Sequence, residues 1–299
     1  MKLTIGVVTM NRASQLQEAL ESCLACKLPE ETEFVVIDNA STDDTEQIVK
    51  ATLEHCGYLY YYEKLPKNLG VGGGRNYVYS KAHGEYLYVL DDDAVIESGG
   101  NPDFFVRASE IMDSYPKIAT LTTQIYDTAW KKNRVNTSGI EVYPRLYKCL
   151  MFCGGSHFLR TSAFPKPPYL PNQYGYEELR PSLLVVDAGL YNVFCPTLLV
   201  THKPAVNKWN WSDEKNQNLL INDCAIPYAI KKMMYPKVFH IFLWLALVMR
   251  CRKHLSQVPN GKKRAKVAIK EMCNAYAISE KVKTKTVLRI AKDFGISVF

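Results

Sequence analysis

Four short apolar runs in the first third of the chain constrain its fold more than any other feature of the sequence. They cover Leu3–Thr9, Glu33–Ile37, Tyr58–Tyr62 and Tyr86–Leu90. Segments of helical character lie between them, such as Ala13–Ala25, in which apolar residues recur at the period of a helix. Strands that alternate with helices through short connections predict an α/β fold, with a parallel sheet and right-handed crossovers.

Polar residues stand where these strands end. Asn11 and Asp38 follow the first two strands, and Asp91, Asp92 and Asp93 follow the fourth. Ligands of parallel sheets bind beyond the carboxyl ends of the strands, so we expect a site there. Three adjacent carboxylates repel one another unless water or a cation relieves the repulsion. A site for Mg²⁺ or Mn²⁺ and a solvated acidic turn both fit this motif.

A glycine-rich segment, Asn68–Asn76, leads into a predicted helix that ends near His83. Its glycines would let a phosphate approach the backbone at the start of that helix. However, Arg75 occupies the position at which a dinucleotide fingerprint requires its third glycine, and the segment follows the third strand rather than the first. A flexible turn explains the glycines equally well.

Two further motifs admit a functional and a structural interpretation. Glu177 and Glu178 follow a glycine and could supply a general base, or they could be acids that favour the dipole of a helix start. His202 follows the predicted strand Leu198–Thr201 and could bind a metal or a phosphate, or have a structural role only.

The last seventy residues differ from the rest in charge. From Lys231 onward the chain has sixteen Lys or Arg and three acids, a net charge of +13. The apolar run Val238–Met249 is flanked by these basic residues and is shorter than the roughly 20 residues that span a bilayer. It fits an interfacial anchor on an anionic membrane, or a helix of the core. Nucleic-acid binding is not expected, because no nucleic-acid motif accompanies the charge.

Cysteine usage and the amino terminus both predict a cytoplasmic protein. The nine cysteines are odd in number and have no regular spacing, which fits free thiols in a reducing compartment. Met1 leads directly into a strand pattern, without a signal peptide. With the basic tail, these features predict a peripheral position on the inner face of the cell membrane.

Six motifs in order resemble the family 2 glycosyltransferases of bacterial surface-polysaccharide synthesis, and the resemblance covers about residues 3–204. The motifs are Val-Val-Thr-Met-Asn-Arg, Val-Val-Ile-Asp-Asn-Ala-Ser-Thr-Asp, Asn-Leu-Gly-Val-Gly-Gly-Gly-Arg-Asn, Leu-Asp-Asp-Asp, Gly-Tyr-Glu-Glu and Thr-His. The resemblance implies the GT-A fold, a Rossmann-like, mostly parallel sheet flanked by helices. It also implies inverting transfer of a sugar from a nucleotide diphosphate, with Mn²⁺ or Mg²⁺ as cofactor.

The resemblance assigns roles residue by residue. The residues that match nucleotide-binding positions are Thr9, Asn11, Asp38, Arg75, Asp91 and Asp92. The metal positions are Asp93 as a direct ligand, together with Asp91 and His202. Gly154, Gly155 and Ser156 match the small-residue turn beside the donor sugar. Glu178 matches the catalytic base, where the family usually has Asp, so Glu177 remains a rival; Arg180 replaces a further acid that the family often has.

These observations predict a division of the chain and an activity. Residues 1–230 would form the catalytic domain, with a nucleotide-binding half over about 1–100 and an acceptor half over about 101–230. Residues 231–299 would form a basic, helical extension, with membrane association as one interpretation of it. We expect a hexosyltransferase that uses a UDP-sugar, with dTDP-rhamnose and UDP-galactofuranose as alternatives. It would transfer the sugar to a hydroxyl of a glycan or lipid-linked acceptor during synthesis of cell-surface polysaccharide.

Two alternatives come from outside this class. A sugar-1-phosphate nucleotidyltransferase also uses an α/β sheet, a metal and a nucleotide. It should carry a glycine-rich loop after the first strand, where this chain has Met10, Asn11 and Arg12. A catalytically inactive sugar-binding protein is the other alternative, and intact Asp91, Asp93 and Glu178 argue against it.

Overall fold

The computed structural model of the chain forms two compact units, Met1–Ala205 and Val206–Phe299. The first unit contains a β-sheet with helices, and the described part of the second is helical. The residues that the structure describes are 1–134, 137–172, 175–204, 213–276 and 278–299.

Strands and helices alternate from β1 to β4, as the sequence predicts, whereas most of the later strands follow one another. The strands are β1 (Leu3–Thr9), β2 (Thr32–Asp38), β3 (Leu59–Lys64), β4 (Tyr86–Asp91), β5 (Ala94–Ile96), β6 (Ile118–Asp127), β7 (Lys132–Arg134), β8 (Glu141–Tyr143), β9 (Leu146–Lys148), β10 (Ser156–Arg160) and β11 (Tyr191–His202). The helices are α1 (Ala13–Leu24), α2 (Thr45–Leu53), α3 (Gly70–Lys81), α4 (Phe104–Ser114) and α5 (Leu179–Asp187). The four predicted amino-terminal strands are confirmed.

The described strands form one mixed sheet in the order β3-β2-β1-β4-β10-β6-β11-β9-β8, with β5 paired to β11 and β7 to β6. β3, β2, β1 and β4 run parallel. β10 is antiparallel to both β4 and β6, so β6 runs in the same direction as β4. β11 is parallel to β6. The carboxyl ends of β1, β2, β4, β6 and β11 therefore meet along one edge of the sheet.

Burial on both faces explains why the central strands are apolar throughout. Every residue of β2 is buried, as are all but one in β1. α1 covers the sheet with Leu16, Ala19, Leu20 and Cys23, which are three and four positions apart and thus lie on one face of the helix. A parallel sheet covered in this way is a rigid support for the loops at its edge.

The glycine-rich segment is helical rather than a loop, because α3 begins at Gly70. A Cβ atom at Gly72 would lie 1.9 Å from the carbonyl oxygen of Leu170, and one at Gly74 would lie 2.6 Å from Cγ1 of Val8. Glycine costs about 1 kcal/mol relative to alanine inside a helix, so its presence here reflects packing. These glycines allow α3 to lie directly against β1 and the chain near Leu170.

The second unit contains the predicted helical extension. Its helices are α6 (Glu214–Met234), α7 (His240–His254), α8 (Gly261–Ala275) and α9 (Thr284–Phe294). The predicted domain boundary at residue 230 falls inside α6, whereas the compact units divide after Ala205; which segment folds on its own stays a prediction. Among the described helices, none combines the length and apolar character needed to cross a bilayer.

Candidate active site

Five strands end in polar residues at the shared edge of the sheet. These residues are Thr9 in β1, Asp38 in β2, Asp91 in β4, Asp127 in β6 and His202 in β11. Thr9 pairs with Asp38, and His202 pairs with Asp127, across neighbouring parallel strands. The fold therefore places most of the chemistry that the sequence predicts on one side of the sheet.

Asp91, Asp93 and His202 lie close enough together to hold one metal ion. One ligand atom of each residue, a carboxylate oxygen or an imidazole nitrogen, lies within 4.8 Å of the other two. Nε2 of His202 is 3.2 Å from Oδ1 of Asp93. Two carboxylates with one imidazole suit Mn²⁺ better than Mg²⁺, which prefers oxygen ligands. These residues thus fit the divalent cation that the sequence predicts.

The charges of this group favour a cation. Burial lowers the pKa of His202, but the hydrogen bond and charge of Asp93 raise it more, and the net pKa is raised. Burial alone would raise the pKa of Asp93, whereas His202 and Arg12 lower it to a net value below its usual range. Positive charge beside Asp93 is therefore stabilised.

Asp92 is not one of these three side chains, but it shares a contact with Arg12. Nη1 of Arg12 donates hydrogen bonds of 2.8 Å to Oδ1 of Asp92 and to Oδ2 of Asp93. Burial raises the pKa of Asp92 to about 6, although Arg12 counteracts it. Arg12 was not predicted as a site residue, and its contacts offset part of the negative charge of the acidic motif.

Asp127 and Arg134 complete the group, and sequence analysis missed both. Oδ2 of Asp127 lies 3.1 Å from Nδ1 of His202 and accepts a 2.6 Å hydrogen bond from Nη2 of Arg134. Nδ1 of His202 thus lies between an acceptor, Asp127, and a donor, Nη2 of Arg134 at 2.9 Å, while Nε2 faces Asp93. These contacts fix the orientation of the ring, which leaves Nε2 on the side of the metal group. The signal in the sequence was an acid at the end of an apolar strand, as at Asp91.

Arg75 joins a second set of carboxylates to the first. Its Nη1 donates to Oε1 of Glu177 at 2.9 Å and to Oε1 of Glu178 at 2.6 Å. Its Nη2 donates to Oδ1 of Asp91 at 2.7 Å and to the carbonyl of Gly154 at 2.9 Å. Burial lowers the pKa of Arg75, but the three carboxylates raise it well above its usual value, so the guanidinium stays charged.

Glu177 and Glu178 are buried just before α5, and Glu178 is its N-cap residue without a side-chain capping bond. Their contacts with Arg75 place them in the site, and a role as general base stays a prediction. Burial and the charge of Glu177 raise the pKa of Glu178 to about 8, against the effect of Arg75. Oε2 of Glu177 is buried without a hydrogen-bond partner among the described residues. Tyr174 of the same motif lies outside the described residues.

The turn Gly154–Gly155 leaves room beside these carboxylates. A Cβ at Gly154 would lie 2.0 Å from Oε1 of Glu178, and one at Gly155 would lie 3.2 Å from Oδ2 of Asp91. Ser156 differs, because it is fully buried in β10 and its Oγ lies 2.7 Å from the hydroxyl of Tyr88. The structure therefore brings the two glycines, but not the Ser156 side chain, to the site.

The predicted nucleotide-binding residues of β1 and β2 stand at the same edge. Oδ1 of Asp38 accepts from the N–H of Ser41 at 2.6 Å, and Oδ2 accepts from the hydroxyl of Tyr62 at 2.9 Å. Thr9 is buried and Asn11 is exposed. Their nucleotide-binding role stays a prediction.

The family model described as glycosyl transferase family 2 matches residues 4–164. Among curated proteins, the chain is 29% identical over 109 residues to the GalNAc(5)-diNAcBac-PP-undecaprenol beta-1,3-glucosyltransferase of Campylobacter jejuni, a match over 36% of this chain and 35% of that protein. The chain thus spans about a third of the length of this relative.

Two solved structures of low sequence identity share the fold. TarS of S. aureus in complex with UDP-GlcNAc is 16% identical, with a TM-score of 0.58 over 100% of this chain and 89% of that chain. The mannosyltransferase PcManGT of Pyrobaculum calidifontis, in complex with GDP-Man and Mn²⁺, is 16% identical, with a TM-score of 0.60 over 100% and 81%. These similarities confirm the predicted GT-A fold.

Proposed function

The chain belongs to glycosyl transferase family 2, and from that premise we propose that it transfers a sugar, with inversion, from a nucleotide diphosphate to a hydroxyl of a glycan or lipid-linked acceptor. The observation that carries the proposal is that one guanidinium, that of Arg75, binds both Asp91 of the metal group and Glu178. A cation site and a buried carboxylate beside one small-residue turn are what this chemistry requires.

Asp91, Asp93 and His202 would hold Mn²⁺ or Mg²⁺ at this edge. When bound, such an ion neutralises charge that develops on a leaving diphosphate. Arg75 and Arg134 lie beside the group and add fixed positive charge. The Mn²⁺ in the complex of PcManGT supports Mn²⁺ rather than Mg²⁺ as the proposed ion.

Glu178 is our candidate for the base, and Glu177 is its rival. A base removes the proton of the acceptor hydroxyl while that oxygen attacks the anomeric carbon and the bond to the diphosphate breaks. The pKa of Glu178 is raised from an ordinary 4.5 to about 8. A general base works best when its pKa lies near the pH at which the enzyme operates. The unpartnered Oε2 of Glu177 supports the rival, because a substrate hydroxyl could donate to it.

We propose a UDP-sugar as donor, with dTDP-rhamnose and UDP-galactofuranose as alternatives. Thr9, Asn11, Asp38 and Asp92 would line the base and ribose pocket, beside Arg75. UDP-GlcNAc in the complex of TarS supports a uridine donor, and GDP-Man in that of PcManGT keeps guanosine open. The relative from Campylobacter is named for an undecaprenol-linked acceptor, which supports a lipid-linked acceptor for surface polysaccharide here.

Binding to the cytoplasmic face of the membrane is proposed for the second unit. Six large apolar side chains on and just before α7 are each between 46 and 65% exposed: Val238, Ile241, Phe242, Trp244, Leu245 and Met249. Lys237, Arg252 and Lys253 flank them and are exposed. An exposed apolar helix face with basic neighbours fits the interface of an anionic leaflet.

The experiment that tests the activity measures melting temperature with UDP, dTDP, GDP, CMP and NAD, each with and without Mn²⁺. A ligand that binds only the folded protein raises the melting temperature. We expect a rise with UDP or dTDP that requires Mn²⁺, followed by slow hydrolysis of the matching nucleotide sugar. The absence of a rise with every diphosphate, or a rise with NAD alone, would overturn the proposal.

A further inference from the structure

We propose that the exposed indole of Trp130 is the platform on which a pyranose ring of the acceptor stacks. This inference rests on the proposed function and adds an acceptor subsite to it. Trp130 lies in the turn between β6 and β7 and is 65% exposed, in contrast to most large apolar side chains of the first unit.

The turn that carries Trp130 is fixed to the metal group. Oδ1 of Asp127 accepts hydrogen bonds from the N–H of Ala129 at 3.0 Å and from the N–H of Trp130 at 3.2 Å. The N–H of Thr128 donates to the carbonyl of His202 at 3.0 Å. Asp127 thus positions the turn with one oxygen and His202 with the other, so indole and metal group keep a fixed relationship.

The ring itself is oriented by cations. Nζ of Lys132 lies 5.3 Å from the centroid of the Trp130 ring, and Cζ of Arg134 lies 6.0 Å from it. Nη2 of Arg134 is in turn 2.9 Å from Nδ1 of His202. The side chain of Arg134 therefore lies between the indole and a candidate metal ligand. A sugar ring stacked on the indole would thus lie beside the metal group, where the second substrate is expected.

The sheet order decides between a nucleobase and an acceptor sugar as the occupant. Asp91 ends β4; Asp38 lies two strands away on one side, and the turn of Trp130 lies two strands away on the other. Four strand spacings of about 4.8 Å place β6, which leads into the turn of Trp130, roughly 19 Å from the strand of Asp38. If the base binds near Asp38, Trp130 faces the other substrate.

The chemistry of an indole suits a sugar. One face of a pyranose carries C–H groups, and these pack against a flat apolar ring whose π face is negative. Lys132 and Arg134 already lie over the indole. Their N–H groups can donate hydrogen bonds to the hydroxyls at the rim of a stacked pyranose. An apolar platform rimmed by a few polar donors is typical of small-molecule sites.

The test compares donor cleavage with sugar transfer in the full chain. Nucleotide-sugar hydrolysis is measured without acceptor, and transfer is measured with a panel of methyl pyranosides and disaccharides. We expect Trp130→Ala to raise the KM for the acceptor about tenfold, since that ratio equals about 1.4 kcal/mol of lost contact. Donor hydrolysis and UDP–Mn²⁺ affinity should not change. Trp130→Phe should restore most of the acceptor affinity, and Tyr60→Ala, in β3, is the control.

Three results would overturn the inference and keep the proposed function. One is an unchanged acceptor KM in Trp130→Ala. Another is a loss of donor hydrolysis as large as the loss of transfer. The third is a parent protein that hydrolyses donor but neither glycosylates nor binds any sugar of the panel. A parent that cleaves no nucleotide sugar at all would contradict the proposed function itself.

Discussion

Arg75 donates a 2.6 Å hydrogen bond to Glu178 in a part of the first unit where both side chains are buried. The same guanidinium also binds Glu177 and Asp91, so it holds three carboxylates of one site. Removing one partner from a buried group of charges leaves the others uncompensated, which is more costly than losing an exposed ion pair. The geometry of the candidate base and of the candidate metal group thus depends on one residue.

We predict that Arg75→Met destabilises the protein by roughly 3–5 kcal/mol, because it leaves buried carboxylates without their cation. The measurement is urea unfolding of the parent and the variant. Arg107→Met serves as a control, since the groups that Arg107 bonds within the described part of the chain, Asn101 and Thr197, are neutral. Equal midpoints for the parent and Arg75→Met would show that the carboxylates are neutral or solvated.

Glu178→Gln should stabilise the protein, and the gain should grow as the pH rises. The pKa of Glu178 is about 8 in the folded chain, against an ordinary value of 4.5. The folded state therefore binds the proton more tightly, and this stabilisation is lost as the pH rises through 8. Melting temperatures of both proteins from pH 5 to pH 9 test this.

The same ionisation has the opposite effect on catalysis. If Glu178 is the base, transfer by the parent increases as the pH rises toward 8, while Glu178→Gln retains UDP–Mn²⁺ binding and loses transfer. The exposed Glu54→Gln on the same assays should follow the parent throughout. Normal turnover of Glu178→Gln together with an inactive Glu177→Gln would assign the base to Glu177.

Asp93→Asn and His202→Ala should each weaken Mn²⁺ binding in the presence of UDP by more than about tenfold. Each removes one of the three side chains that can ligate a single ion. Titration calorimetry provides the affinity, and Asp103→Asn, a half-buried acid before α4 that pairs with Lys27, is the control. Binding by both variants at the strength of the parent would place the metal elsewhere.

Gly154→Ala should reduce transfer and destabilise the protein by about 1–3 kcal/mol, the usual cost of overpacking. Its new methyl group would lie 2.0 Å from Oε1 of Glu178 and 2.8 Å from Nη1 of Arg75, so both must move. Gly99→Ala is the matched control, because a Cβ there meets nothing within 4 Å. The idea fails if the two variants unfold at the same temperature.

Ile241→Glu combined with Leu245→Glu should abolish flotation of the full chain with vesicles that contain phosphatidylserine. Both positions lie on the exposed face of α7, where a charge opposes insertion into the interface. Leu288→Glu changes an equally exposed leucine of α9 and should leave flotation intact. Flotation of the double variant like that of the parent would show that α7 does not bind lipid.

The sequence predicts the strands of the site better than the contacts between them. Asp91 and Asp38 follow apolar runs, so their place at the edge of the sheet follows from local pattern alone. Asp127 was not predicted as a site residue, because its role depends on the pairing of β6 with β11, which are distant in the chain. Arg134 and Arg12 contribute through side-chain contacts that only the folded chain creates.

The glycine-rich segment shows the opposite failure. Glycine disfavours helix in isolation, so the sequence indicated a turn or a phosphate loop. The close approach of α3 to Val8 and to the carbonyl of Leu170 overrides that preference. The segment is helical because of packing between distant parts of the chain, and local propensity does not report such packing.

Carboxylates outnumber basic groups where Asp91, Asp92, Asp93, Asp127, Glu177 and Glu178 face Arg12, Arg75 and Arg134. The proposed nucleotide diphosphate would bring further negative charge to the same place and would be repelled by it. If a divalent ion loads first, the repulsion becomes attraction. For the donor proposed above, we therefore expect free nucleotide sugar to be a poor ligand of the metal-free protein, so that the metal adds before the donor or together with it.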